Sequence, residues 1–390
     1  MAKKATYQEV KEYIETNSNC KLLSTEYKNA KEKLQIQCEC GEDFERSYSN
    51  IKKKGCKCDK CLKKIDGIEE EKIEDNIEEK TNETEVKLTT HQIAEIKDIN
   101  DVVNVFLESQ INYIPPGINT INAPYVWRKG YSGKNVKIAV LDTGCCTTHP
   151  DLKGNIIGGR NFTDEDNGNV NIYEDYNGHG THICGTIAGN GRILGVAPNA
   201  SLLILKVLDK RGAGNLQGLI DAIDYAINQK VDIISMSLGC SVDIAEFHTA
   251  IKKAVNNNIL VVCASGNAGD NNANTIEIDY PAGYNEVISV GATDNTRLSA
   301  TFTNSNKEVD LVAPGVNVLS TYLDNKYRSL NGTSMAVPHV TGALALLIEW
   351  STKEFGRKLS EVELYGQLIK NTIDLNIPRT IQGNGLIFFK

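Results

Sequence analysis

No stretch of this chain is apolar for long enough to span a membrane, and the opening MAKKATYQEVKEY lacks the apolar core of a secretory signal. Membrane insertion and export are therefore not expected, and the chain reads as cytoplasmic. Positive charge is not in excess either: 42 Lys+Arg stand against 50 Asp+Glu, a net of -8, so the chain as a whole is not built to bind nucleic acid. Internal repeats and low-complexity arrays are also missing, which removes solenoid architectures. Cysteine, by contrast, is plentiful. A chain kept in the cytosol holds its thiols reduced, and five of the eleven cysteines fall between Cys38 and Cys61, a density that points to metal rather than to disulfides.

A length of 390 residues accommodates one large enzyme domain and a small module. The small module is expected over 1–64, where 15 basic residues face 10 acidic ones. Thr6-Tyr7-Gln8-Glu9 is a capping-box pattern ahead of a short amphipathic helix, and Lys33–Gln37 alternates like a strand. Cys38-x-Cys40 and Cys58-x-x-Cys61 then supply four thiolates with 17 residues between the pairs, the set a tetrahedral structural zinc site requires. Gly41 and Gly55 suit tight turns around such a metal, and Cys56 is a spare thiol or an alternative ligand. The arrangement is similar to zinc-ribbon and treble-clef modules. Lys52, Lys53, Lys54, Lys57, Lys60, Lys63 and Lys64 form either a nucleic-acid-binding face or a solvated one that meets the acidic linker. That linker, with a possible inhibitory extension, is expected over 65–113; residues 65–101 carry 13 acidic residues against 4 basic.

Beyond residue 114 short β-rich runs, Val136–Leu141, Leu202–Val207, Ile233–Met236, Ile259–Cys263 and Val287–Val290, alternate with helix-length segments such as Leu216–Gln229 and Ala245–Asn257. Continuous apolar strands between helices predict an α/β domain over 114–390, with a mostly parallel sheet flanked by helices. In such sheets reactive groups collect beyond the carboxyl ends of the strands. Asp142 follows the first run, His179 opens a small-residue helix, and Ser334 precedes the long apolar helix Ala336–Trp350. A hydroxyl, an imidazole to take its proton and a carboxylate to orient the imidazole make a nucleophilic triad.

The ordered motifs DTG, HGTH, SMSLG, ASGN and GTSMAVPH resemble the subtilisin (S8) family, and the intracellular subtilisins of Gram-positive bacteria most of all, over residues 112–390. The resemblance implies the subtilisin fold, a serine endopeptidase, and the roles of orienting acid for Asp142, general base for His179 and nucleophile for Ser334. It implies Asn267 and the Ser334 N–H as oxyanion donors. Gly212 and Gly214 would form one backbone edge of a polypeptide-binding cleft, and Ser237, Leu238 and Gly239 the other, with Gly266 beside them and Asp279 at the base of the pocket for the residue before the cut bond. It also implies a cis peptide bond at Tyr280-Pro281. His182 and His339 are read as packing residues. A nucleic-acid-tethered regulatory protease and a catalytically silent binding protein are the alternatives, and a homodimer is left open.

Three features depart from the family. Cys146 stands where relatives often carry an acid, so Cys145-Cys146 is either buried filler or a thiol-reactive brake. Asp151 matches a calcium ligand, but the 188–195 loop is too short to supply most of the six to eight oxygens a calcium ion takes, which puts calcium there in doubt. The inhibitory Leu-Ile-Pro-aromatic motif has no counterpart in Val86-Lys87-Leu88-Thr89-Thr90-His91, although 86–113 can still reach the cleft.

Overall fold

The computed structural model describes residues 6–17, 20–29, 33–38, 43–48, 51 and 112–390. Three of the expected zinc ligands, Cys40, Cys58 and Cys61, lie outside the described residues, as do Cys56, the lysines of 52–64 and the stretch 65–111. The chain divides into two units, Met1–Thr84 and Glu85–Lys390. No helix among the described residues is long and apolar enough to cross a membrane.

In the first unit α1 (Tyr7–Asn17) begins on the expected capping box: Thr6 N donates to Glu9 Oε2 at 2.7 Å and Glu9 N to Thr6 Oγ1 at 3.3 Å. Strands β1 (Lys21–Leu22), β2 (Lys33–Gln37) and β3 (Asp43–Ser47) make an antiparallel sheet. Leu34 and Ile36 point inward on β2 and meet Val10, Ile14 and Leu22, while Tyr13 and Tyr27 stand edge-on to Tyr48. Cys38 follows β2 and is buried.

The described residues of the second unit begin at Asn112 and soon form two short helices, α2 (Pro116–Thr120) and α3 (Ala123–Arg128). Its sheet takes the order β13-β14-β10-β9-β8-β7-β4-β6-β5. Strands β4 (Lys137–Asp142), β5 (Ile156–Asn161), β6 (Ser201–Lys206), β7 (Ile233–Met236), β8 (Leu260–Ala264), β9 (Ile288–Thr293), β10 (Leu311–Pro314) and β14 (Leu386–Ile387) pair in parallel. Only β13 (Thr372–Ile373), at the edge, runs antiparallel. Both faces are covered, which is why the central strands read as unbroken apolar runs. Ile138 and Val140 of β4 enter the core shared with α4 (His179–Ala188) and α7 (Thr333–Phe355), whereas Ala139 and Leu141 enter the one under α5 (Leu216–Asn228) and α6 (Ala245–Asn256). A hairpin, β11 (Val318–Thr321) and β12 (Tyr327–Leu330), lies between β10 and α7 in sequence; α8 (Glu361–Lys370) and α9 (Arg379–Gln382) complete the unit.

Strand β4 sits between β6 and β7, so the sheet winds outward from it in both directions. That switch point opens a crevice beyond the carboxyl ends of the strands, where ligands bind in folds of this kind. Asp142 is the last residue of β4.

Candidate active site

The site assembles at that crevice from three chain segments. Asp142 is buried, and its Oδ1 accepts from Thr143 N at 2.8 Å and meets His179 Nδ1 at 2.8 Å. His179 is the first residue of α4, whose first-turn amides would be orphaned without outside acceptors. Each finds one: His179 N donates to Asn177 Oδ1, Gly180 N to Thr143 Oγ1, and Thr181 N to Asp175 Oδ2. The DTG loop and the helix that carries the imidazole are thus tied together by side chains.

Asp175 was not singled out from the sequence. It is buried and accepts from Thr143 Oγ1, Asn177 N, Gly178 N and both the N–H and hydroxyl of Thr181. Burial pushes its carboxyl up, but those bonds outweigh it and hold the pKa below the ordinary value. Its signal was a carboxylate four residues before the histidine, ahead of a Gly that begins a helix. Burial likewise works against a charged His179, yet the charge of Asp142, its hydrogen bond and the charge of Asp175 together raise that imidazole's pKa above the usual value.

Ser334 lies in the first turn of α7, where Pro338 has no N–H to give to the Ser334 carbonyl. The Ser237 hydroxyl supplies the missing bond, donating to Ser334 O at 2.8 Å, and the Ser334 hydroxyl donates to Ser237 O at 3.2 Å. Ser334 is therefore locked against the end of β7, with its hydroxyl on Ser237 rather than on the imidazole. Catalytic hydrogen bonds of this type often close only when substrate binds.

Asn267 Oδ1 accepts from Thr333 N at 2.9 Å and from Thr333 Oγ1 at 3.0 Å, which fixes the amide so that Nδ2 is the end presented. Gly332, at φ 148°, leaves open the space in front of it. A Cβ there would stand 3.7 Å from Ser334 N and 3.8 Å from Asn267 Nδ2, so both donors border one void. Two N–H groups facing one space can hold an oxyanion.

Gly212, Gly214, Ser237, Leu238 and Gly239 line, with His179, a cavity of about 490 Å³. Its floor is apolar, with Leu208, Phe247 and Tyr280 among the walls. Asp279 is half-buried: Asn304 Nδ2 donates to its Oδ2 at 3.2 Å, and a Cβ on Gly266 would lie 2.1 Å from that oxygen. Gly239 flanks it on the other side, so Asp279 sits between Gly239 and Gly266. The Tyr280-Pro281 bond is cis.

The remaining residues fall into place as packing. His182 is fully buried with Nε2 on the carbonyls of Val318 and Arg328, and burial drives its pKa down to about 3; His339, buried with Nδ1 on Met335 O, is lowered to about 4. Cys145 is buried, and its bond with the Cys184 thiol and its desolvation push its own thiol well up, which makes it filler rather than a nucleophile. The 188–195 loop is closed by hydrogen bonds. Both oxygens of Asp151 are taken by hydrogen-bond donors, Arg192 N, Ile193 N and Tyr327 Oη, each at 3.0 Å. The loop's own carbonyls on Gly191 and Arg192 accept from Asn112 N and Tyr113 N. Among the described residues no group of three or more His, Cys, Asp or Glu side chains is placed to hold a metal.

A family model described as the subtilase family, Peptidase_S8, matches residues 133–385. The chain is 56% identical over 282 residues to the major intracellular serine protease of Bacillus subtilis (strain 168), covering 71% of this chain and 88% of that protein. It is 56% identical over 285 residues to the intracellular serine protease of Paenibacillus polymyxa, covering 72% and 87%. With subtilisin E of Bacillus subtilis (strain 168) the identity is 40% over 259 residues, or 65% of this chain and 66% of that one.

Proposed function

The chain belongs to the subtilase family and is a serine endopeptidase, and from that premise we propose that Ser334 is its nucleophile, His179 its general base and acid, and Asp142 the carboxylate that orients the imidazole. The observation that carries this reading is the 2.8 Å Asp142–His179 bond in the crevice where Ser237 also holds Ser334. Asp142 on Nδ1 leaves Nε2 to take the Ser334 proton as Oγ attacks the peptide carbonyl. The oxyanion forms in the void between Asn267 Nδ2 and Ser334 N. His179 then returns the proton to the leaving amine, and water releases the acyl group from Ser334 by the reverse sequence.

The substrate is a polypeptide lying extended between the Gly212–Gly214 and Ser237–Gly239 edges, held by main-chain hydrogen bonds. Asp279 takes a basic side chain at the residue before the cut bond. Two relatives are named as intracellular, and the cytoplasm is the compartment in which we place this enzyme. The first unit recruits or regulates it. Cys38, Cys40, Cys58 and Cys61 would hold a zinc ion there as a structural cross-link.

Incubation of wild type with a peptidyl phosphonate is expected to add the inhibitor mass to Ser334, and Ser334→Ala should lose turnover by about a millionfold, the scale at which a triad fails as one unit. The acid limb of kcat/KM should lie above the ordinary histidine value of about 6.5, because the base works deprotonated and its pKa is raised. Labelling away from Ser334 with Ser334→Ala still active, or a limb below 6.5, would overturn the assignment.

A further inference from the structure

Lys206 is the largest fully buried side chain of the described residues, and nothing in the reaction above uses it. It ends β6 directly opposite Asp142, its register partner on β4. Its ammonium donates to Thr143 O at 2.7 Å and pairs with Glu165 Oε2 at 2.9 Å. A buried cation costs several kcal/mol unless paired and hydrogen-bonded, so a side chain of this kind at a strand end needs a reason beyond filling space. The ammonium also stands 5.2 Å from the centre of the Tyr176 ring, and its two oxygen partners indicate a reason.

Thr143 O belongs to the peptide between Thr143 and Gly144, and Thr143 N, on the peptide before it, is one of the two groups on Asp142 Oδ1. The same residue's hydroxyl holds Gly180 N, next to His179, and donates to Asp175. With its carbonyl held by Lys206, its amide on Asp142 and its hydroxyl on Asp175 and Gly180 N, Thr143 is bonded on every polar group, so the lysine restrains the residue whose N–H meets the carboxylate. Glu165 faces the other way as well: its Oε1 accepts from Lys210 N at 3.0 Å, while Asn177 Nδ2 donates to Lys210 O at 3.0 Å. Residue 210 lies between Leu208 and Gly212, both in the cleft wall. One carboxylate thus joins the substrate-facing edge to the lysine, and the lysine joins it to the loop of the triad acid.

We propose that Lys206 is a positioning residue for Asp142, and that the Glu165–Lys206 pair ties the 208–214 edge of the cleft to the geometry of the triad. This rests on the reading of Asp142 as the orienting acid. Lys206→Met removes the cation but keeps the stem. Lys206→Arg keeps the charge, and Glu165→Gln weakens the pair while retaining an acceptor for Lys210 N.

The experiment measures kcat and KM per active site, with sites counted by phosphonate labelling of Ser334 so that unfolded protein drops out. Lys206→Met is expected to lose at least tenfold in kcat with KM within twofold of wild type, since small misplacements of a catalytic group can cost up to about a hundredfold. Lys206→Arg should recover part of that loss. Glu165→Gln should lower kcat and raise KM together, because it touches both the edge and the lysine. If Lys206→Met fails to fold, the Arg and Gln variants carry the test. Turnover per labelled site within twofold of wild type in both Lys206→Arg and Glu165→Gln, or in a folded Lys206→Met, would overturn the proposal and leave the triad standing. Absence of label on wild-type Ser334 would instead remove the triad reading and this one with it.

Discussion

Single residues at this site are set by what their neighbours lack. Pro338 cannot donate to Ser334 O, so Ser237 does, and Ser334 is pinned by a bond its own helix could not make. Asp279 is pinned in a different sense. Asn304 satisfies part of one oxygen, which leaves a carboxylate between Gly239 and Gly266 with capacity to spare. An apolar side chain in that pocket would desolvate the charge without pairing it, whereas Lys or Arg would pair it. Among peptides that vary only at the residue before the cut bond, wild type should prefer Lys and Arg, and Asp279→Asn should erase most of that preference, a change on the order of 1–3 kcal/mol in relative kcat/KM for a truncated charge pair. A wild-type preference for Phe or Leu that survives Asp279→Asn would show that this carboxylate does not choose the substrate.

Among elements, the 188–195 loop is held by its hydrogen bonds to Asp151 and to residues 112 and 113. The loop turns its amides on Asp151 and hands its carbonyls to Asn112 and Tyr113. A carboxylate that accepts several N–H and O–H bonds is stabilised as an anion without a metal. Chelation with excess EDTA should therefore leave the unfolding temperature of the peptidase unit unchanged. Asp151→Ala should lower its stability by about 3 kcal/mol, because it strands buried donors on Arg192, Ile193 and Tyr327. A large EDTA-induced drop in melting temperature that Asp151→Ala abolishes would mean the loop does hold a cation.

At the scale of the whole molecule the two units differ in how they meet the cost of folding. The peptidase unit has two extensive apolar cores on either side of a long sheet. The first unit has one small described cluster, built around Val10, Ile14, Leu34 and Ile36, and units of that size commonly need a staple. A zinc ion on Cys38, Cys40, Cys58 and Cys61 would be that staple, with binding energy appearing as folding energy. Elemental analysis of the intact chain is expected to return one zinc per molecule, and Cys58→Ser with Cys61→Ser should lose the metal and open the first unit to protease while Ser334 still labels. An intact, protease-resistant chain without zinc would remove the metal from the account.

Much of the peptidase could be read directly from the chain. Unbroken apolar runs such as Ile233–Met236 carry their own evidence of burial on both faces, and Asp142, His179 and Ser334 each follow or open a strand or helix whose period is visible locally. The Thr6–Glu9 cap was legible for the same reason, since both partners lie within one turn. Strand β3 was not, because Asp43 and Glu45 face solvent and only pairing with β2 makes a strand of them. Asp175, Lys206 and Glu165 were hidden for a related reason. Each acts through partners distant in sequence or through main-chain groups that every residue has, as in the 63-residue span from Lys206 to Thr143 O and the 32-residue span between Thr143 and Asp175. Local pattern decided which segments become strands and helices and which side chains could do chemistry. The packing of the sheet decided which distant donors and acceptors those side chains would meet, because hydrogen bonds across a fold depend on distance in space, which no local period records.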